Sequence, residues 1–200
     1  MILVLCKVKA QPKIGITFSP SLSSGRVKYK NDVIDISKDG SALKFKLGLE
    51  TDFSITDTYS ISTGLIFAPK RAGFKIVDPI SGAKTEEYKL QYLQIPLTLK
   101  LYTNEVMPDI KAYFQLGFLG EIKIFDEALD ESYTLVQKFR DYDTSFLFGI
   151  GAEYGASISS VIYLAIVYNR GLVNIVNETT ASKNLNSKLD MISLQIGIKF

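Results

Sequence analysis

Three short motifs in this chain have the spacing of reactive sites, and each fails on its surroundings. Ser81-Gly82-Ala83-Lys84 fits S-x-x-K, in which a lysine activates an acylating serine. It follows Asp78-Pro79 in a turn, with no S-D-N or K-T-G partner placed to complete the machinery. Gly149, Gly151 and Gly155 approach a dinucleotide fingerprint, but Tyr154 stands where the third glycine belongs. Asp126, Glu127, Asp130, Glu131, Asp141 and Asp143 offer oxygens to a divalent cation, without the spacing of an EF-hand loop. They read as a solvated loop. The chain has no histidine, which removes His-based triads and most catalytic metal sites. No catalytic, cofactor-binding or metal-binding residue is assigned, and the chain is not expected to be an enzyme.

One constellation remains: Lys44, Lys46, Glu50, Lys100, Glu121, Lys123 and Glu153. Mixed signs on like-facing positions permit two kinds of chemistry. One is a polar path that conducts ions. The other is a plug of ion pairs, because a charge buried without a partner costs several kcal/mol. The choice depends on the elements that carry these residues.

Those elements are strands. Apolar and polar or small residues alternate over Ile14–Ser19, Leu43–Glu50, Tyr59–Ala68, Leu93–Leu101, Phe114–Lys123, Phe146–Tyr154, Ile162–Asn169 and Ile192–Phe200. That makes eight, an even number, as single-chain bacterial barrels have. Short connections at Asp52–Asp57, Asn104–Asp109 and Ser157–Ser160 alternate with longer polar ones at Ser23–Ser41, Ile76–Thr85, Phe125–Asp143 and Val173–Lys188. Pro96 interrupts a strong strand pattern and predicts a β-bulge.

Alternation alone leaves open which face is wet. Here the polar faces are rich in Gly, Ser, Thr and Ala, as a narrow lumen requires. Phe18, Tyr59, Phe67, Tyr154, Tyr168 and Phe200 fall near strand ends, as an interfacial girdle would. No apolar run reaches the roughly 18 residues a spanning helix needs. In lipid, a chain without such a helix must close its strands into a barrel. The reading is an all-β, eight-stranded antiparallel up-and-down transmembrane β-barrel over residues 11–200, of the Gram-negative outer membrane. Both termini lie on the periplasmic side. Eight strands leave no open channel once side chains fill the lumen, so the seven charged residues read as a structural network.

Residues 1–10 read as the remnant of a secretory signal peptide, with the apolar stretch Ile2–Leu5 and small residues before Gln11. Cys6 is the single cysteine, so no intrachain disulfide forms. The formal net charge of +2, without a basic stripe, argues against nucleic acid.

Tyr92-Leu93-Gln94-Ile95-Pro96-Leu97, Gly151-Ala152-Glu153-Tyr154, Tyr168–Ile175 and the final Ile192–Phe200 resemble the PorT-like outer-membrane β-barrel proteins of Bacteroidetes. The resemblance runs from about Gln11 to Phe200. It implies insertion by the barrel-assembly machinery, which reads the terminal strand, with Phe200 as the signal. The family's namesake takes part in type IX protein secretion, so secretion components become candidate partners. The expected molecule is a monomer surrounded by outer-membrane lipid, closed and non-catalytic, acting through external loops in the envelope, in adhesion or in secretion. Two rivals remain: a soluble ligand-binding barrel, which would bury the apolar face, and a small pore or transport protein.

Overall fold

The computed structural model describes residues 12–29, 34–79, 82–157, 159–181 and 185–200. The expected signal remnant at residues 1–10, with Cys6, lies outside them.

In chain order the strands are β1 (Lys13–Lys28), β2 (Asp35–Lys38), β3 (Ser41–Ser54), β4 (Tyr59–Asp78), β5 (Gly82–Met107), β6 (Ile110–Ala128), β7 (Val136–Phe139), β8 (Tyr142–Gly155), β9 (Val161–Gly171), β10 (Val176–Thr179) and β11 (Asn186–Lys199). Eight of them pair antiparallel in the order β4-β3-β1-β11-β9-β8-β6-β5, and β5 returns to β4. The ring has no edge, so every strand meets a neighbour on both sides. This is the expected eight-stranded barrel. The additional β2 pairs with the distal half of β4, and β7 with β10 makes a separate two-stranded ribbon.

The faces follow the alternation. Leu97 is 62% exposed, Phe118 57% and Ile196 41%, whereas Lys46 is 5% exposed. A soluble barrel with an apolar interior would reverse these values. On β5 the outward apolar positions run from Leu93 to Leu101, close to the roughly 9–11 residues a tilted membrane strand needs. Phe18 and Phe45 stack on the outer wall with ring centroids 5.8 Å apart.

At the end that carries Lys13 and Phe200 the connections are tight. Between β5 and β6, Pro108 and Asp109 make the turn, with Asp109 at φ 62°. Proline presets the first turn torsion, and aspartate tolerates the left-handed region. At the opposite end β4 and β5 run far past the apolar belt. Ile76 pairs with Lys84 and Asp78 with Gly82. The expected Ile76–Thr85 loop is therefore mostly ladder. Strand continues there because Phe74, Tyr88 and Leu90 still have something to bury against.

That something is a second core. Phe74, Tyr88, Leu90 and Tyr92 of the barrel wall pack with Leu135, Val136, Phe139, Ile175, Val176, Leu185 and Leu189. The β7–β10 ribbon thus caps the barrel mouth with apolar side chains. Pro96 does not make the expected bulge. Register on the β6 side passes unbroken from Ile95↔Gly120 to Leu97↔Phe118, and the β5–β6 irregularities sit between Gln91 and Tyr92 and beyond Tyr102. On the β4 side the ladder keeps register but loses its pairs between Thr63↔Leu97 and Ile66↔Gln94. A missing amide hydrogen removes a bond toward one neighbour only, and the other neighbour holds the strand straight.

Candidate functional site

The lumen is built from inward side chains at every second strand position, and its charges gather at two levels. Near the terminal end, Asp52 of β3 is the hub. Lys100 Nζ donates to its two carboxylate oxygens at 3.1 and 3.2 Å, and Ser62 Oγ donates at 2.5 Å. Lys199 Nζ donates to Asp52 at 2.5 Å and also to Glu153. Tyr102 Oη donates to Glu153 at 2.9 Å. The ammonium of Lys199 lies 4.6 Å from the Tyr163 ring centre, and that of Lys100 lies 5.4 Å from the Tyr113 ring. These aromatic faces supply further negative potential to the two buried ammonium groups. Glu50 accepts from Tyr163 Oη at 3.0 Å and from Gln195 Nε2.

At the second level, nearer the cap, Lys70 of β4 pairs with Glu121 and lies 3.8 Å from Asp143. Ser145 Oγ donates to Glu121 at 3.0 Å, and the Tyr92 ring lies 4.8 Å from Lys70 Nζ. Between the levels sits a cavity of about 20 Å³, lined by Lys46, Glu50, Gln94, Gln115 and Gln195 among others. It has room for roughly one or two waters, not for a conducting column.

The seven charged residues singled out in the sequence therefore have different surroundings. Lys100 and Glu153 join the lower network, with Glu50 beside it. Glu121 belongs to the upper one. Lys46 is buried between them and makes no ion pair among the described residues. Lys44 is half-buried on the inner face, likewise without an ion pair among the described residues. Lys123 stands at the capped rim, where it donates to the Phe139 carbonyl at 2.9 Å and pairs with Asp126 and Asp141.

Sequence reasoning missed the residues that complete both levels. The sequence pattern puts Asp52 in a short connection, Asp143 in a loop, and Lys70 beyond the end of its strand. The signal that could have found them is parity. Asp52 continues the series Lys46, Gly48, Glu50, and Lys70 continues Ile66, Ala68.

At the rim, Glu86 fastens the cap. It accepts from Tyr88 Oη at 2.6 Å, from the Leu135 amide at 2.9 Å and from the Thr134 amide at 3.3 Å, and Lys84 Nζ lies 3.0 Å away. Burial alone would raise this carboxyl, but the donors outweigh it and hold it below its usual range. Arg71 binds Asp39 and Glu87 on either side, tying the β2 segment to the extended wall.

Most carboxylates and ammonium groups of this interior are paired with one another, Lys46 and Lys44 excepted. Among solved structures, the chain is similar to the outer membrane protein OprG from Pseudomonas aeruginosa, with a TM-score of 0.57 at 16% identity over 94% of this chain and 96% of that one. It is also similar to the outer membrane protein AlkL, determined in lipid bilayers, with a TM-score of 0.54 at 15% identity over 100% and 95%. At these identities the likeness concerns the fold. No curated protein matches the chain. Residues 9–177 match the family described as outer membrane protein beta-barrel domain. With the closed ring, the apolar outer wall and the charged interior already in place, that match gives the sequence its home: the chain belongs to the outer-membrane β-barrel protein family.

Proposed function

We propose that the chain is a closed, non-conducting and non-catalytic barrel whose work is done by its capped end, facing outward from the cell. The observation that carries this reading is the β7–β10 ribbon. It buries Leu135, Val136, Phe139 and Val176 over the mouth, above an interior already filled with ion pairs. A molecule built to pass solutes would not seal both levels. A rigid crown on a membrane-held wall is instead a surface for recognition, since loops on a fixed scaffold commonly carry function. The reading includes both termini on the periplasmic side and assembly by the machinery that reads β11 and Phe200. The motifs that resemble PorT-like proteins support a place in the envelope near type IX secretion components.

The experiment is a planar bilayer recording on the refolded protein, alongside surface labelling of intact cells. The expected result is a silent bilayer and a labelled crown. Steady conductance that changes with Lys46→Ala or Glu121→Ala would favour a small pore instead.

A further inference from the structure

Beside the ribbon is a site that the closed-barrel reading does not use. Arg140 follows β7, and its amide donates to the Ile175 carbonyl at 2.8 Å, which pins the residue at the base of the ribbon. Its guanidinium makes no ion pair among the described residues, and its Nε is buried without a hydrogen-bond partner. An Nε–H held this way lacks the acceptor it requires, and the rest of the guanidinium is free of any carboxylate among the described residues.

Arg140 opens on a cavity of about 440 Å³, within the size range of small-molecule sites. Gln137, Asn177 and Glu178 line its exposed side, and the buried Val176 and Leu185 form its apolar floor. One wall is rigid. The Asn174 side chain donates to the Leu185 carbonyl at 3.2 Å and accepts from the amides of Val176 and Ser187 at 3.2 and 2.8 Å. A wall fixed before binding lowers the entropic cost of binding.

Each part selects a chemistry. The guanidinium fork matches a carboxylate or phosphate. The amides of Gln137 and Asn177 can both donate to and accept from hydroxyls. Glu178 accepts from hydroxyls and disfavours a second negative charge. The Val176–Leu185 floor suits the C–H face of a ring. We infer that this cavity binds a saccharide unit bearing one anionic group, carried either on free glycan or on a lipid-linked glycan of the surrounding leaflet. Access from outside rests on the orientation proposed above.

The test uses the full chain refolded in micelles and titrated with glucuronate, glucose and acetate, followed by amide NMR. Glucuronate is expected to shift the Val176 and Asn177 resonances with a Kd at least tenfold below those of glucose and acetate. Arg140→Gln should weaken it at least tenfold, Arg140→Lys by less, and Lys138→Gln not at all. Glucuronate binding no tighter than glucose or acetate, or unaffected by Arg140→Gln, overturns the inference. Should Arg140→Gln fail to fold, Asn177→Ala is read in its place, with a loss of at least threefold expected and no loss overturning the inference. Repeating the titration in nanodiscs separates the sources. Suppression by acidic lipopolysaccharide names the lipid-linked glycan, and unchanged binding names the free one; both support the site. Labelling Asn177→Cys on intact cells with an impermeant maleimide, in a Cys6→Ser background, tests the orientation by itself.

Discussion

Lys199 Nζ lies 2.5 Å from Asp52 Oδ2, joining β11 to β3 over the intervening β1, although neither strand pairs with the other. Asp52 also takes Lys100 of β5, beyond β4 on its other side, so one carboxylate answers two ammonium groups. Lys199 has Glu153 as a second partner, whereas Asp52 is the carboxylate within reach of Lys100 among the described residues.

Asp52→Asn should therefore leave Lys100 buried and unanswered. Removing one partner of a buried pair costs about 3–5 kcal/mol. Urea unfolding of the barrel in lipid vesicles should show a loss of that size. The double change Asp52→Asn with Lys100→Met should recover much of it, because the stranded charge is gone. A single variant as stable as the parent would mean that water, not Asp52, satisfies Lys100.

Glycine has a steric task where lumen tyrosines cross to the next strand. Gly197 pairs with Tyr163, and a Cβ there would stand 2.4 Å from the phenol oxygen and 2.5 Å from the Ile16 carbonyl. Gly197→Ala should cost about 1–3 kcal/mol by overpacking. Gly25 is the control, since a Cβ there meets nothing within 4 Å. Gly25→Ala should unfold with the parent. Equal midpoints for the two variants would show that Tyr163 and the Ile16 backbone both give way.

The apolar wall makes a prediction of its own. Leu97 lies at the middle of the outward series on β5. Leu97→Arg should cost about 2–4 kcal/mol, the penalty for a basic side chain on a barrel's lipid face near mid-bilayer. The same change at Val77, on the extended wall beyond the belt, should cost far less. Unfolding free energies measured in vesicles compare the two. Similar penalties would place Val77 within the hydrocarbon as well.

Much of this architecture was legible in the sequence, for a physical reason. Lipid on one side and a crowded lumen on the other force a period of two, so Leu93 to Leu101 or Ile192 to Phe200 reads directly as strand with a known outer face. The ends were misread because that signal stops where lipid stops. Lys70 and Asp143 still face inward, but Arg71 and Thr144 beside them no longer need to be greasy, and Asp52 follows Thr51, which breaks the outward apolar series that runs to Leu49. The cap was invisible for another reason. Val136–Phe139 and Val176–Thr179 are four residues each, too short to show a period, and they form strand only because the barrel mouth offers Phe74, Tyr88 and Leu90 as a floor. Arg140 carried no signal at all, since its environment is assembled from two loops distant in sequence.

Glu86 makes the cap sensitive to acid. Its carboxyl titrates below the ordinary 4.5, because the donors from Tyr88, Leu135, Lys84 and Thr134 favour the ionised form over the burial that opposes it. A carboxyl whose value is lowered on folding adds stability that is complete above its unfolded value and is lost as pH falls through the folded one. The ribbon should therefore stay docked at neutral pH and loosen only below the usual carboxylate range. Hydrogen exchange at the Leu135 and Val136 amides, corrected for intrinsic rates, reads this directly, since Leu135 donates to Glu86 and Val136 to the Tyr88 hydroxyl. Their protection should fall on acidification while that of the Leu97 amide in the barrel wall holds. In Glu86→Gln the acid step should vanish, and protection should be weaker from the start because a neutral amide oxygen is the poorer acceptor. Protection that stays level through the whole acid range would show that the apolar contacts of Val136 and Phe139 hold the cap without the carboxylate.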